Sequence, residues 1–155
     1  MPSAVVFIDT SILCNLVPVP GKDQRRHAVQ AEMRARLAEG EQFVLPITSV
    51  IETGNFIAQL PDGGRRRAAA ETLQKLLLLV CRGEAPWVLH DVAWNADFLE
   101  HFLRGADTGI AYVDHAMAQV GAGDLCIITE RDHYRSRTRV PARIWSLDTA
   151  LAAHS

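Results

Sequence analysis

Four acidic residues lie after apolar runs or within amphipathic segments of the sequence. Asp9 directly follows a β-branched and aromatic run, Glu52 stands near the start of an amphipathic segment, Asp114 lies within another, and Asp132 follows a second apolar run. Carboxylates that converge on one place repel each other and raise each other's pKa unless a cation neutralises them. The sequence therefore predicts a site for a hard divalent cation, because such ions prefer oxygen ligands.

Each of these acids also has an ordinary structural explanation. Asp9 could cap the helix that follows it, and Glu52 could complete a capping box. Asp132 could be a solvated loop residue. Asp114 neighbours apolar residues at helical spacing, and burying a carboxylate beside an apolar face is costly unless something compensates it. The single residues leave both explanations open, and their combination favours the metal site.

Short apolar runs alternate with segments of helical periodicity along the chain. The pattern predicts strands over residues 5–8, 43–45, 87–89, 125–128 and 143–147. It predicts helices over residues 9–16, 23–39, 49–60, 65–80, 91–103 and 107–120, and a last one capped by Asp148.

This alternation predicts an α/β fold, a three-layer sandwich with a central, mostly parallel sheet of about five strands. The 155 residues suit a single domain spanning 1–155. Ligands of such sheets bind beyond the carboxyl ends of the strands. We therefore expect Asp9 and the segment 129–132 at that edge.

Composition narrows the class of protein. A net charge of −2 supplies no overall attraction to phosphate, but 14 of the 16 basic residues are arginine, whose planar group binds phosphate in a bidentate manner. Three widely spaced cysteines argue against a disulfide framework and a zinc site. No apolar run reaches the roughly 20 residues of a membrane span, and the first residues lack a signal-peptide pattern. We expect a cytoplasmic protein outside the membrane.

Four segments follow one another in an order that spans nearly the whole chain. They are Val-Val-Phe-Ile-Asp-Thr-Ser at 5–11, Thr-Ser-Val-Ile-Glu at 48–52, Asp-His-Ala-Met-Ala at 114–118 and Leu-Cys-Ile-Ile-Thr at 125–129, with Tyr134 beyond. This arrangement resembles the PIN-domain nucleases and is most similar to the VapC-type toxins of bacterial toxin-antitoxin pairs. The resemblance implies catalytic acids at Asp9, Glu52, Asp114 and Asp132, and Mg²⁺, or Mn²⁺ in its place, held by Asp9 and Asp114.

One segment departs from the family. After the fourth strand its members usually show Thr-x-Asp, whereas Arg131 stands two residues after Thr129, with Glu130 and Asp132 on either side. Asp132 is the preferred fourth acid, because one further step along a loop still lets its carboxylate reach the site, and Glu130 is the alternative.

Several residues are candidates for supporting roles. Thr10 or Ser11 could donate a hydrogen bond that orients Asp9, as hydrogen-bonding groups around a metal site do, and Thr129 could do the same beside the fourth acid. Asp107 is a further candidate acid, with helix capping as the simpler explanation.

The resemblance implies an endoribonuclease that hydrolyses RNA phosphodiester bonds with the help of magnesium. Arg131, Arg135 and Arg137 would contact the RNA backbone, a small antitoxin protein would be the partner, and the chain would form a homodimer. The altered segment 129–132 suggests an alternative, a catalytically degenerate PIN-like scaffold that binds RNA or protein. A phosphotransfer domain with Asp9 as nucleophile is disfavoured, because it would need an aspartate where Ser11 stands.

Overall fold

The computed structural model describes residues 3–155. Its strands are β1 (Val5–Ile8), β2 (Gln42–Val44), β3 (Trp87–Val88) and β4 (Ala142–Trp145). Its helices are α1 (Thr10–Leu16), α2 (Arg26–Ala38), α3 (Ile47–Ala58), α4 (Gly63–Cys81), α5 (Ala96–Leu103), α6 (Tyr112–Met117), α7 (Ala122–Thr138) and α8 (Thr149–Ala152).

The described strands form one parallel sheet in the order β3-β2-β1-β4. Strand β1 is central, and its side chains alternate between two apolar clusters, as the two-residue period of a strand requires. Val6 and Ile8 pack with residues of α1 to α4, while Val5 and Phe7 pack with α7 and α8. These two helical layers around a parallel sheet confirm the predicted α/β class and three-layer architecture.

The predicted strand over residues 125–128 is wrong, since these residues form the first half of α7. Leu125, Ile127 and Ile128 are buried, the last two against the second face of the sheet. A short, fully apolar run reads the same in a buried helix as in a buried strand, so periodicity could not separate the two. The described sheet therefore has four strands where about five were expected.

The predicted helix over residues 107–120 shortens to α6, and its expected buried stripe is exposed. Val113 is 66% and Met117 80% exposed. Gly109, with φ of 74°, precedes the helix, and Gln119, with φ of 64°, follows it. Such left-handed residues interrupt helical geometry, so the apolar spacing across the segment does not correspond to one continuous face.

Several helix starts differ from the predicted ones by two to five residues, while the cap of the last helix is confirmed. Helix α3 begins at Ile47 and α5 at Ala96, where Asn95 accepts a hydrogen bond from the backbone of Phe98. Asp148 caps α8 as predicted, through a bond from the amide of Ala150. Among the helices described over residues 3–155, none combines the length and apolar character needed to cross a membrane.

Candidate active site

The carboxyl ends of β1 and β4 meet at one edge of the sheet and carry polar residues there. Ile8 pairs with Trp145 in the parallel register, and the amide of Asp9 donates to the carbonyl of Trp145 at 3.1 Å. The residues that follow the two strands open into a pocket of about 460 Å³. Four acids line this pocket, namely Asp9, Glu52, Asp124 and Asp148.

Asp9 occupies the capping position of α1 but its side chain does not cap the helix. Its Oδ2 atom instead accepts hydrogen bonds from Ser11 at 2.9 Å and from Ser146 at 2.6 Å. The side chain of Ser11 also accepts from the amide of Leu147. Asp9 is thus only 5% exposed, and its carboxylate is fixed by one hydroxyl beyond the end of β1 and one beyond the end of β4. The capping explanation for Asp9 fails, and a binding role remains.

Glu52 lies in the middle of α3, so the predicted capping box is wrong. Its Oε2 atom accepts a hydrogen bond from Thr10 at 2.6 Å. Ser49, the supposed cap, donates to the carbonyl of Ile8 at 2.8 Å and so anchors α3 to the end of β1. This anchor places Glu52 across from Asp9.

Gly123 allows α7 to approach Glu52 closely. A Cβ atom at position 123 would lie 2.5 Å from Oε1 of Glu52 and 3.1 Å from Cγ2 of Thr48. The first turn of a helix carries a partial positive charge, which favours a nearby carboxylate. The contact therefore brings the N-terminus of α7 to the pocket, together with Asp124 in its first turn.

Sequence reasoning missed Asp124 and Asp148, although one signal pointed to the second. The segment Ser146-Leu147-Asp148 directly follows β4. It has a hydroxyl residue two positions before an acid, the pattern that the resemblance predicts after residues 125–128. If residues 122–138 are assigned as a helix, Asp124 falls in its first turn and therefore lies at the edge of the sheet. The wrong strand at residues 125–128 thus hides the place of Asp124, whereas the place of Asp148 follows from the pairing of β4 with β1.

The four acids lie close enough together to raise the pKa of one of them, Asp124. The pKa of Asp124 rises from 3.8 to about 6, because burial disfavours its charged form and because Asp9, Asp148 and Glu52 are negatively charged nearby. Lys22 and Arg25, which also line the pocket, leave this repulsion uncompensated at Asp124. The site thus carries excess negative charge that a cation would neutralise.

The donor set fits a hydrated hard cation and does not fit a closed protein cage. Within residues 3–155, no three His, Cys, Asp or Glu side chains are already grouped as a ligand set. Mg²⁺ commonly binds through one or two carboxylates and keeps several waters, so it does not require such a group. Asp9, with Oδ2 held by hydroxyls, and Asp124, with its raised pKa, are the two carboxylates best suited to hold it.

Asp114 and Asp132, the other two predicted acids, do not join this pocket. Asp114 is exposed on α6. Asp132 lies past the middle of α7, where its Oδ2 atom is 2.7 Å from Nε2 of His101. Asp132 is not beside Asp9 because residues 125–128 and the segment after them are helical, and Asp114 is not beside Asp9 because α6 carries it on an exposed face.

The alternative and supporting residues of the same segment are also placed elsewhere. Glu130 is buried with Oε1 3.2 Å from Nδ1 of His90. The hydroxyl of Thr129 donates to the carbonyl of Leu125 within α7. Asp107 lies against Arg131. Of the predicted supporting residues, Thr10 and Ser11 alone are brought to the acidic pocket.

The predicted RNA-contacting arginines do not surround the pocket either. Arg131 is 2% exposed, so its side chain is inaccessible to a macromolecule. Arg135 donates to the carbonyl of Ala142, and Arg137 is exposed near the last turn of α7. At a rise of about 1.5 Å per residue, this last turn lies roughly 20 Å along the helix from Asp124.

Comparison of the chain with protein-family models gave no match, and comparisons with curated proteins and with solved structures gave none either. The likeness to the PIN-domain nucleases is therefore a prediction from sequence motifs. The functional argument rests on the geometry of the acidic pocket.

Proposed function

We propose that the protein is a metal-dependent endoribonuclease whose active site is the pocket of Asp9, Glu52, Asp124 and Asp148. The observation that carries this proposal is the convergence of four carboxylates at one sheet edge, with the pKa of Asp124 raised to about 6. Such an arrangement weakens the folded state unless it serves a cation, because like charges repel. A phosphodiester is the natural substrate of a site that combines a hard cation with positioned carboxylates.

The reaction is hydrolysis of the RNA backbone. Water adds to phosphorus, the bond from phosphorus to the 3′-oxygen breaks, and the released 3′-oxygen takes a proton. The products then carry a 5′-phosphate and a 3′-hydroxyl. A bound Mg²⁺ ion, or Mn²⁺ in its place, would make water a better nucleophile and withdraw negative charge from the phosphate.

The chain's own residues divide the remaining tasks. Asp9 and Asp124 would hold the cation, and Ser11 and Ser146 fix the orientation of Asp9 through their bonds to its Oδ2. Glu52, which accepts a hydrogen bond from Thr10, and Asp148, which lines the same pocket, would accept a proton from water. Asp148 keeps one oxygen for capping α8, so its carboxylate is also fixed in direction.

A direct experiment incubates the protein with single-stranded RNA, labelled at the 5′ end in one reaction and at the 3′ end in another, in MgCl₂ or in EDTA and then identifies the new ends. We expect cleavage in magnesium alone, with fragments that a 5′-phosphate-dependent exonuclease degrades. Cleavage that persists in EDTA, or fragments that end in a 2′,3′-cyclic phosphate, would show that a different chemistry operates.

The partners implied by the sequence resemblance are part of this proposal. An antitoxin helix requires an apolar receiving surface, and an apolar groove of about 530 Å³ lies between α3 and α4. Its lining includes Ile57, Leu73, Leu77 and Leu78, with Arg66 at the polar end. Coexpression with any short reading frame encoded beside this gene, followed by copurification, tests for an antitoxin, and light scattering of the chain alone tests for a homodimer.

The alternative of a degenerate scaffold loses its original support. It rested on the altered segment 129–132, and that segment now lies within α7, away from the pocket. Salt-sensitive RNA binding without cleavage in any divalent cation would nevertheless favour the scaffold.

A further inference from the structure

The acidic pocket has a basic side. Lys22 and Arg25 line it, both from the loop of residues 17–25 that joins α1 to α2. Neither side chain forms an ion pair with a carboxylate of residues 3–155, although Arg36, Arg67 and Arg143 do. The two cations therefore remain available to an anionic ligand.

Internal contacts hold this loop in one conformation. Val17 and Val19 are 1% exposed, so they anchor the loop in the core. Nζ of Lys22 lies 4.0 Å from the centre of the Phe56 ring, a cation-π contact that fixes the ammonium group over the pocket. A ligand would therefore meet a preorganised surface, which lowers the entropy lost on binding.

Asn15 couples the loop to the acids. Its buried side chain donates to the carbonyl of Ser11 at 2.8 Å and accepts from the amide of Arg25 at 3.0 Å. Ser11 in turn binds Asp9. The cationic side and the acidic side of the pocket are thus held in a fixed relation through one amide side chain.

A shallow path leads from the pocket over Gly21 to a third cation. Gly21 lines the acidic pocket and also a neighbouring cavity of about 260 Å³ that reaches Arg65, whose Nε atom lies 3.9 Å from Oδ2 of the exposed Asp62. Its φ of 85° suits glycine, and no atom lies within 4 Å of the position where a Cβ would project. The path is therefore open at the point where the two cavities join.

We propose that the loop of residues 17–25 is the phosphate-binding wall of the site, with Lys22 and Arg25 binding backbone phosphates of single-stranded RNA beside the cleaved bond. This inference rests on the proposed function. Beyond Gly21 the strand continues toward Arg65, so the phosphate contacts lie on the α1–α2 side of the pocket and not on the arginines of α7.

The burial of Asp9, alone among the four acids, favours a single strand over a duplex. Asp9 is 5% exposed at the base of the pocket. A flexible single strand can bend a phosphate inward while neighbouring phosphates stay on the rim, whereas a stiff duplex keeps its phosphates on its own outer surface. Grooves that track one backbone with positive charge are typical of proteins that bind single strands without sequence preference.

The test measures RNA binding separately from cutting. Fluorescence anisotropy with a labelled single-stranded RNA, between about 50 and 200 mM NaCl, is performed on the Asp9→Asn background, so that the RNA stays intact. We expect Lys22→Ala and Arg25→Ala each to weaken binding roughly 3- to 10-fold and to lower the slope of log K against log salt by about 0.7, the value for one phosphate contact on a single strand.

Two control variants keep the result specific. Lys22→Arg retains the charge and should restore most of the binding, and Arg137→Ala, on the far end of α7, should leave affinity and slope unchanged. Thermal unfolding of each variant checks that the fold is intact. Unchanged binding in both loop variants, a loss in Arg137→Ala equal to theirs, or no RNA binding on the parent background would overturn the proposal. The proposed function fails on a different readout, the absence of magnesium-dependent cleavage by the native chain.

Discussion

Replacing Asp124 by asparagine should make the metal-free protein more stable at neutral pH. The folded-state pKa of Asp124 is about 6 and its ordinary value is 3.8, so the folded chain binds this proton more tightly than the unfolded chain does. Well below pH 3.8 the carboxyl is neutral in both states and weakens neither. As pH rises from 3.8 to about 6, the folded state loses stability relative to the unfolded state, and above that the penalty is constant.

The size of the effect follows from the same values. The difference between 6 and 3.8 is about 2.2, which corresponds to roughly 3 kcal/mol at 1.36 kcal/mol per pKa unit. Asp124 is half-buried, and solvent screening reduces this figure. Its place in the first turn of α7 also contributes a favourable 0.3–1 kcal/mol or so that asparagine would lose. A net gain of about 1 kcal/mol remains, or roughly 2–4 °C in Tm for a chain of this length.

The assay is urea unfolding in EDTA at pH 4 and pH 7.5. We expect Asp124→Asn to exceed wild type by about 1 kcal/mol at pH 7.5 and to match it at pH 4. Asp114→Asn is the matched control, since Asp114 also lies in the first turn of a helix but outside the pocket, and it should show no gain. Addition of MgCl₂ should stabilise wild type more than Asp124→Asn. A less stable Asp124→Asn at pH 7.5, or a difference that does not change with pH, would refute the reasoning.

Three further substitutions test other parts of the structure. Gly123→Ala should lower the cleavage rate at least 10-fold, because its Cβ would displace the carboxylate of Glu52. Ser146→Ala should cost roughly 10- to 100-fold in activity or metal affinity, since its hydroxyl orients Asp9. Arg131→Met should raise the free energy of unfolding by about 1 kcal/mol or leave it unchanged, with normal cleavage, because two nitrogens of this buried side chain lack partners within the described residues.

Each of these has its own control or contrary result. Gly54→Ala, in mid-helix with no atom within 4 Å of the new Cβ, should stabilise the protein and leave the cleavage rate unchanged. Ser136→Ala, which loses only an exposed bond to His133, should cleave normally. A loss of RNA cleavage in Arg131→Met with an intact fold would restore Arg131 as a functional residue and contradict its buried placement.

The sequence predicts an element and its residues correctly where the local pattern and the tertiary position agree. The run Val5–Ile8 is β-branched and aromatic, and it forms the central buried strand, so the position of Asp9 at a strand end follows directly. The sequence correctly predicts that Glu52 lies in a helix. Its explanation as part of a capping box is wrong, because its hydrogen-bond partner Thr10 is 42 residues away and only the fold brings the two together.

The remaining acids depended on one element whose pattern is ambiguous. The run of residues 125–128 satisfies both a buried strand and a buried helix, and only its packing across Phe7 and Ile144 decides in favour of the helix. If it were a strand, Asp132 would follow a strand end at the site, whereas within the helix the carboxylate of Asp132 contacts His101. Asp148 was recognised as a helix cap, and its second role at the pocket required knowing that β4 lies beside β1.

The most direct test of the central claim compares four aspartates in one cleavage assay. Single-stranded RNA is incubated in MgCl₂ with wild type, Asp9→Asn, Asp148→Asn, Asp132→Asn and Asp114→Asn, at matched folded concentrations. The acidic pocket predicts that Asp9→Asn and Asp148→Asn lose cleavage by 100-fold or so, the scale of an essential electrostatic group, while the other two retain it. Cleavage retained by Asp9→Asn and Asp148→Asn, or lost in Asp132→Asn, would contradict the assignment of the active site to this pocket.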